Sequence, residues 1–344
     1  MKRSRRKTIR DVAEAAGVSI GTASRALNRR GRVSEATVAR VSAAAKKLGY
    51  EPDAIAQSLR LRSTKVVGML VTDLANPFFA GVIRAAEERL QKAGYALLVG
   101  NTANDRAREK FLADLFRRRR VDGLIMGPCE TEDAERTVAL DDGEMPVIGL
   151  DREVGAAQSA VYVDHRRGAY EATRHLINLG HERIALLSSS SRLSPGRSRI
   201  EGYGAALREA GIEPQEALIR AQKSSMEFVF SEALSLMSMR PAPTAFLCLG
   251  TRMLAGALQG LRQNGWRVPN DVSVLSVGDS DLARLYAPAI SAVSWDLAAV
   301  GEVLAELMLK RLSPDDDGRA ERILIPTQLI ERESCARPGA LFGG

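Results

Sequence analysis

Near the start of the chain, hydrophobic residues recur with a helical period over two short stretches that a tight turn separates. The first stretch has one apolar stripe, formed by Ile9, Val12, Ala13 and Ala16. Thr8 and Asp11 have the spacing of a capping box at its beginning. Gly17 suits the chain reversal, and Ser19 can cap the second helix. The pattern predicts a helix-turn-helix.

The second helix of this motif has a face that does not pack on the first. Its outward positions are Ile20, Gly21, Ser24, Arg25 and Asn28. A helix-turn-helix lays this face in the major groove of DNA. An ordinary helical hairpin inside a core has a similar pattern, so the distribution of charge has to decide between the two.

Basic residues are concentrated around the predicted helix-turn-helix. Residues 1–62 hold 15 Lys and Arg against 5 Asp and Glu, whereas the remaining 282 residues hold 34 against 37. The net charge of +7 therefore comes from the first part of the chain. Charge placed in this way indicates a polyanionic partner and favours DNA binding over the simple hairpin.

A third helix and a much shorter one follow. The third begins after Ser34 and ends at Gly49, which closes a small three-helix head. Pro52 then marks a boundary, and Asp53 can cap a helix of about two turns. Because so short a helix is not stable alone in water, we expect it to need a partner.

From Lys65 onward, short apolar strands alternate with amphipathic helices. This order is typical of a parallel sheet covered by helices. It occurs twice, so we predict an α/β body of two subdomains. The predicted strands are 66–71, 95–99, 123–126, 146–150, 183–187, 244–248 and 272–277.

Several segments resemble, in the same order, those of the lactose/galactose repressor (LacI/GalR) family of bacterial transcription regulators. They are TIRDVAEAAGVSIGTASRALN, VSEATVARV, LGYEPDAIAQSLR, VVGMLVTDLANPFFAGVIRAAE and RVDGLIMGP, and the likeness runs from about Thr8 to about Ser334. It implies an α/β protein with an N-terminal all-α helix-turn-helix domain and a hinge helix. A two-lobed body with parallel sheets, like that of periplasmic binding proteins, would follow.

The resemblance also implies where the domains begin and end. They would be a DNA-binding domain at 1–51, a hinge helix and linker at 52–63, an effector-binding and dimerisation domain at 64–336, and a disordered tail at 337–344. Within the body, lobe one would hold about 64–163 and 295–326, and lobe two about 164–293 and 327–336.

In that family the hinge helix folds only in the DNA-bound dimer. Its leucine, here Leu59, wedges into a central base step of the operator, which kinks the duplex. The alternative is a linker whose Leu59 packs on its own domain. Head and hinge together predict DNA contacts by Thr8, Ser19, Ile20, Gly21, Thr22, Ser24, Arg25, Asn28, Arg32, Ala56, Leu59 and Arg60.

An effector site is implied at the strand ends between the lobes. Phe78 is the better candidate for stacking on a ring, whereas Phe79 is equally suited to the core. The expected effector-binding residues are Asp73, Phe78, Phe79, Asp151, Arg152, Arg199, Thr251, Arg252, Asp279, Ser280 and Trp295.

Two places depart from the family pattern and bear on the effector. Ser280 stands where the family usually carries an acid, and Thr251-Arg252 replaces an Asp or Asn. Arg152, Arg199 and Arg252 can converge on a carboxylate or phosphate, which favours an acidic or phosphorylated sugar over a neutral one. The alternative is that only Arg199 touches the ligand.

Catalysis is not indicated, and we predict no cofactor and no metal. The chain has no P-loop, no glycine fingerprint after a strand and no G-x-S-x-G nucleophile elbow after a strand. Cys129, Cys248 and Cys335 lie far apart without metal-ligand spacing. With no secretory signal and no run able to cross a bilayer, we expect a cytoplasmic protein with reduced thiols.

These observations predict a homodimeric transcriptional regulator, more readily a repressor than an activator. It would bind a palindromic operator, and a small sugar-like effector would control its DNA affinity allosterically. The alternative is a sugar-binding protein or sugar-processing enzyme with an incidental basic N-terminus. The lack of a secretory signal and the specific hinge segment favour the regulator.

Overall fold

The computed structural model describes residues 7–28, 32–50, 63–129, 145–222 and 226–339. The chain divides into two units, Met1–Thr64 and Lys65–Gly344. In the first unit, α1 (Ile9–Ala16), α2 (Ile20–Leu27) and α3 (Glu35–Leu48) pack around a small core. That core buries Val12, Ala13, Ala16, Ala23, Ala26, Val41 and Ala45.

Side-chain caps fix the ends of these helices. The carboxylate of Asp11 accepts from the backbone N–H and the Oγ1 of Thr8, at 2.7 and 2.9 Å. Gly17 ends α1 with a left-handed φ of +64°, which a side chain would strain. Ser19 Oγ accepts from the Thr22 backbone N–H at 3.1 Å. The predicted helix-turn-helix is confirmed.

The second unit alternates strands and helices. In chain order its elements are β1 (Val66–Val71), α4 (Pro77–Lys92), β2 (Ala96–Asn101), α5 (Arg106–Arg118), β3 (Gly123–Met126), β4 (Val147–Leu150), β5 (Ser159–Val163), α6 (His165–Asn178), β6 (Ile184–Leu187), α7 (Ser194–Glu209), β7 (Ile219–Arg220), α8 (Met226–Met237), β8 (Ala245–Cys248), α9 (Thr251–Gln263), β9 (Ser273–Val277), α10 (Asp281–Leu285), β10 (Ser291–Ser294), α11 (Leu297–Arg311), β11 (Arg322–Ile325) and β12 (Gln328–Ile330).

Two six-stranded sheets organise these elements into two lobes. Lobe one has the strand order β11-β5-β4-β3-β1-β2 with parallel neighbours, and lobe two has the order β12-β10-β9-β8-β6-β7. Among the described strands of lobe two, only β12 runs antiparallel to its neighbour. The chain passes between the sheets after β5, β10 and β11, so each lobe is built from separate pieces of sequence.

Helix α11 returns from the second crossing and packs closely on α4 in lobe one. A Cβ on Gly301 would lie 2.4 Å from the carbonyl oxygen of Val82, so only glycine allows this approach. Val300 and Leu304 on the same helix are fully buried in the lobe-one core. The late part of the sequence therefore fills the core of the first lobe.

The last described residues also pack on the body. Pro338 lies within van der Waals reach of a Cβ built on Gly180. The disorder expected from residue 337 onward is thus corrected for 337–339, while 340–344 lie outside the described residues. Within the described ranges, no helix is long and apolar enough to cross a bilayer.

Candidate functional site

A cavity of about 650 Å³ lies between the two lobes. Residues that follow β1, β2, β3 and β4 line it from lobe one, and residues that follow β6, β7, β8 and β9 line it from lobe two. The carboxyl ends of the parallel strands of both sheets therefore meet here. This edge is where open α/β sheets bind ligands.

Asp151 and His165 form a buried pair on the cavity wall. Asp151 follows β4 with a left-handed backbone, at a φ of +49°. Its carboxylate accepts from the Val163 backbone N–H and from His165 Nε2, both at 2.9 Å. The two residues are 3% and 4% exposed. Because a carboxylate only accepts, His165 carries its proton on Nε2.

Arg199 on α7 extends this pair into a hydrogen-bonded network of three side chains. Its Nη2 donates to His165 Nδ1 at 3.2 Å, and its Nη1 donates to the Leu249 carbonyl at 3.4 Å. Since a guanidinium only donates, Nδ1 is unprotonated and the imidazole is neutral.

Burial accounts for the charge states of His165 and Arg199. It lowers the pKa of His165, and although the charge of Asp151 opposes that shift, the pKa stays below its ordinary value. Burial likewise lowers the pKa of Arg199 to about 10, again against the charge of Asp151. Near neutral pH the arginine is therefore charged and the histidine is not.

Aromatic rings contribute to the apolar lining of the cavity. The rings of Phe78 and Trp295 meet edge to face with centroids 6.1 Å apart, and Trp295 meets His165 at 5.7 Å. Phe79 also lines the cavity, but it is 3% exposed and belongs to the lobe-one core. Phe78 and Trp295 therefore offer the ring faces and edges on which a flat or sugar-like ligand can pack.

Ion pairs join the two lobes beside the cavity. Arg252 Nη1, near the start of α9, lies 3.4 Å from Asp73 Oδ2, which follows β1. Arg197 on α7 pairs with Glu153, which follows β4. Thr251, the first residue of α9, also lines the cavity. Both pairs are partly exposed, so each is worth little to stability, but each bridges lobe one and lobe two.

Arg152 does not face the cavity, so the prediction that it contacts the effector was wrong. Its guanidinium donates to both carboxylate oxygens of Glu109, at 2.6 and 3.0 Å, and to the Gly127 carbonyl at 3.2 Å. The residue is 4% exposed. Arg152 directly follows Asp151 in the sequence. The side chain of Asp151 points into the cavity, whereas that of Arg152 points into lobe one.

Asp279 and Ser280 also lie away from the cavity, so the prediction that they contact the effector was wrong. Asp279 accepts from two nitrogens of Arg332 and one of Arg284, all at 3.0 Å. Burial works to raise the pKa of this carboxyl, but these hydrogen bonds hold it below its ordinary value. Ser280 Oγ caps α10 by accepting a backbone N–H at 3.3 Å. The end of β9 lines the cavity in their place.

Several polar residues at the cavity were missed in the sequence. All but His165 and Gln222 follow a predicted strand within a few positions, and that placement was the signal that could have found them. His165 and Gln222 follow β5 and β7, which were not among the predicted strands. The missed residues are Thr72, Asn76, Asn101, Asn104, His165, Ser189, Ser190 and Gln222.

The head presents the recognition face of α2 at its surface. Ile20 is 44% exposed, which is unusual for so large an apolar side chain. The amide of Asn28 donates to the Ser24 carbonyl at 2.6 Å and so turns back onto α2. Ala56, Leu59 and Arg60 lie outside the described residues. Of the other predicted contacts, the exposed ones are Thr8, Ser19, Ile20, Gly21, Arg25 and Arg32, and the half-buried ones are Thr22, Ser24 and Asn28.

Two family profiles match the chain. Bacterial regulatory proteins of the lacI family match residues 8–53, and a periplasmic binding protein-like domain matches residues 173–335. The HTH-type transcriptional repressor PurR of Photobacterium profundum is 32% identical over 326 residues, which is 94% of this chain and 98% of that protein. PurR of Mannheimia succiniciproducens is 31% identical over 331 residues, covering 96% and 99%.

Solved structures of similar proteins have the same fold. A lac repressor dimer bound to operator and the anti-inducer ONPF matches with a TM-score of 0.85 at 26% identity, over 96% of this chain and 100% of that one. A complex of the transcriptional regulator CelR with cellobiose matches with a TM-score of 0.73 at 29% identity, over the same shares. The α/β fold with an N-terminal helix-turn-helix and two parallel-sheet lobes is confirmed.

Proposed function

This chain belongs to the lacI family of bacterial regulatory proteins, and we propose that it is a homodimeric repressor of a palindromic operator whose DNA affinity changes when a sugar-like effector fills the interlobe cavity. Its relatives are transcriptional repressors rather than enzymes. One observation carries the proposal: the same chain joins a capped, surface-exposed recognition helix to a cavity bordered by the strand ends of both lobes.

The exposed face of α2 supports a specific mode of DNA readout. Ile20 and Gly21 have no side-chain donor or acceptor, so we infer apolar contact with a thymine methyl and close backbone approach. Arg25 is exposed on the same helix and can hold a guanine with two hydrogen bonds, worth about 1–3 kcal/mol of discrimination.

Selection of duplexes from a random library tests operator binding directly. The expected result is an enriched palindrome whose half-sites match the two-fold axis of a dimer. Arg25→Ala should lose preference at one base pair of each half-site, whereas Arg40→Ala, on the exposed side of α3, should keep it. Failure of the wild-type protein to enrich any sequence would refute the proposed function.

An apolar surface supports assembly through lobe one. Strand β2 is the edge strand of the sheet, and Leu98 on it is 41% exposed. Phe111 on the following helix is 59% exposed. We infer that a second copy covers this surface, because a helix-turn-helix repressor needs two heads for a palindrome. Phe111→Asp should yield monomers in sedimentation equilibrium, whereas Leu324→Asp at the opposite edge should leave the dimer intact.

The charges of the cavity bear on the effector. With Arg152 paired to Glu109, two aspartates and two arginines remain among the described residues that line the cavity. One of the three arginines that favoured an acidic or phosphorylated ligand therefore does not reach the cavity. Hydroxyl and amide groups dominate the rest of the polar lining and suit the hydroxyls of a neutral sugar. We therefore propose a neutral sugar.

A thermal-shift panel compares the two effector classes. Ribose, glucose and cellobiose are paired with gluconate and glucose 6-phosphate at equal concentrations. A ligand present at about 100 times its Kd stabilises the fold by about 2.7 kcal/mol. A neutral sugar should raise Tm and change operator affinity, and Arg199→Lys should reduce both effects. A shift by the acids alone would overturn the neutral-sugar proposal without affecting operator binding.

A further inference from the structure

Four consecutive arginines, residues 117–120, end α5 and the turn after it. The chain after residue 62 carries slightly more acidic than basic residues, so this run is a local concentration of charge. Arg118 and Arg119 are exposed. Within the described ranges, neither takes part in an ion pair. Basic residues in the last turn of a helix complement its dipole, but Arg119 lies beyond the last turn of α5.

The run lies at the edge of lobe one where the chain enters from the head. The backbone N–H of Lys65 donates to Asp122 Oδ2 at 3.1 Å, and the Ala96 N–H donates to the Lys65 carbonyl at 2.8 Å. The starts of β1, β2 and β3 therefore meet here, at what we call the amino edge. Lys92, exposed at the end of α4, adds another basic group to this edge.

Covalent connectivity links the DNA that the head holds to the body. Residues 51–62 join the two units, and a segment of this length spans at most about 45 Å when fully extended. The body is therefore tethered to DNA that the head has bound. Tethering makes a second contact intramolecular, so even a weak one adds to affinity.

We propose that Arg118, Arg119 and Lys92 form a second DNA-binding surface, which contacts phosphates without reading bases. The inference rests on the proposed operator binding by the head. Arginine and lysine side chains on an exposed edge suit phosphate oxygens, and such contacts position a protein on DNA without specifying sequence. The body then contributes to affinity, and the head retains sequence recognition.

Salt dependence of binding tests this surface. The probe is a 40-bp duplex that carries the palindrome selected with wild-type protein, measured by fluorescence anisotropy across a salt series. Arg118→Gln with Arg119→Gln should make the negative slope of log affinity against log salt shallower, by about 0.9 for each phosphate that the variant no longer neutralises. Lys92→Gln, on a different helix, should make the slope shallower as well. The selected sequence should not change.

A matched control uses the other end of the same helix. Arg108→Gln with Lys110→Gln removes the same charge from exposed positions in the first turns of α5, and the slope should stay at its wild-type value. Thermal melts verify folding of each variant. If Arg118→Gln with Arg119→Gln and Lys92→Gln both kept the wild-type slope, the second surface would be refuted. If wild-type protein bound no selected duplex, the proposed function itself would fail.

Discussion

Arg152 and Glu109 form a bidentate ion pair inside lobe one, in which the two Nη atoms donate to the two carboxylate oxygens at 2.6 and 3.0 Å. Both residues are at most 9% exposed. The pair ties α5 to the segment after β4, one residue away from Asp151 on the cavity wall.

Burial also raises the pKa of the neighbouring Cys129 thiol to about 12, with the charge of Glu109 adding to the shift. That thiol therefore stays protonated and unreactive.

Breaking this pair from one side should be costly. Glu109→Gln leaves the Arg152 guanidinium buried without its counter-charge, and we expect a loss of about 3–5 kcal/mol in the free energy of unfolding. Glu109→Leu combined with Arg152→Met removes both charges and should cost much less. Urea unfolding of these two variants, and of Glu109→Leu and Arg152→Met singly, measures this difference. Additive costs in the double variant would show that the two side chains act independently.

The neutral imidazole of His165 should make stability depend on pH. Because burial lowers its pKa in the folded protein, the unfolded chain binds the proton more readily. The free energy of unfolding should therefore fall as pH drops below about 6.5, the ordinary histidine value, until the folded pKa is reached. Thermal melts of His165→Asn should show a weaker decline over this range.

Part of that decline should remain in His165→Asn. Burial also lowers the pKa of His181, whose ring hydrogen-bonds to Thr244, Ser273 and the Ala336 carbonyl. His165→Asn with His181→Asn should flatten the profile further. An unchanged pH profile in both variants would contradict a neutral His165.

A charge exchange tests the ion pair between the lobes. Arg252 Nη1 and Asp73 Oδ2 lie 3.4 Å apart, so Asp73→Arg or Arg252→Asp alone brings like charges together. The double exchange restores attraction with reversed polarity. Since both side chains are partly exposed, we expect a coupling of only about 0.2–1 kcal/mol, weaker at high salt. A double-mutant cycle from urea unfolding at two salt concentrations measures it. Zero coupling at low salt would exclude the bridge.

Gly301 should tolerate no side chain. The Cβ of an alanine at this position would clash with the Val82 carbonyl in the contact between α4 and α11. We therefore expect Gly301→Ala to lower the free energy of unfolding by about 1–3 kcal/mol. Gly204→Ala is the matched control, because its Cβ would meet only the flexible end of Arg208, at 3.2 Å. That variant should be neutral or stabilised by up to about 1 kcal/mol. Equal costs at both positions would contradict the packing argument.

The sequence predicted elements with strong local signals better than contacts between distant residues. Capping residues and apolar periods are local, so the head helices and the seven predicted strands were predicted within a few residues. Strand β7 has two residues and offers no period to detect. Arg152 was misplaced because its partner Glu109 is 43 positions away and only packing brings them together. His165 was missed for the same reason, since both of its partners come from other elements.

The return of α11 to lobe one affects how the protein is made on the ribosome. The head emerges first, whereas Val300, Leu304 and Ile325 complete the lobe-one core only near the end of translation. Until then, the apolar side of that sheet lacks its covering helix, and β5 lacks its neighbour β11. We therefore expect nascent chains that stop before residue 297 to be substrates for chaperones and proteases and not to act as shorter repressors.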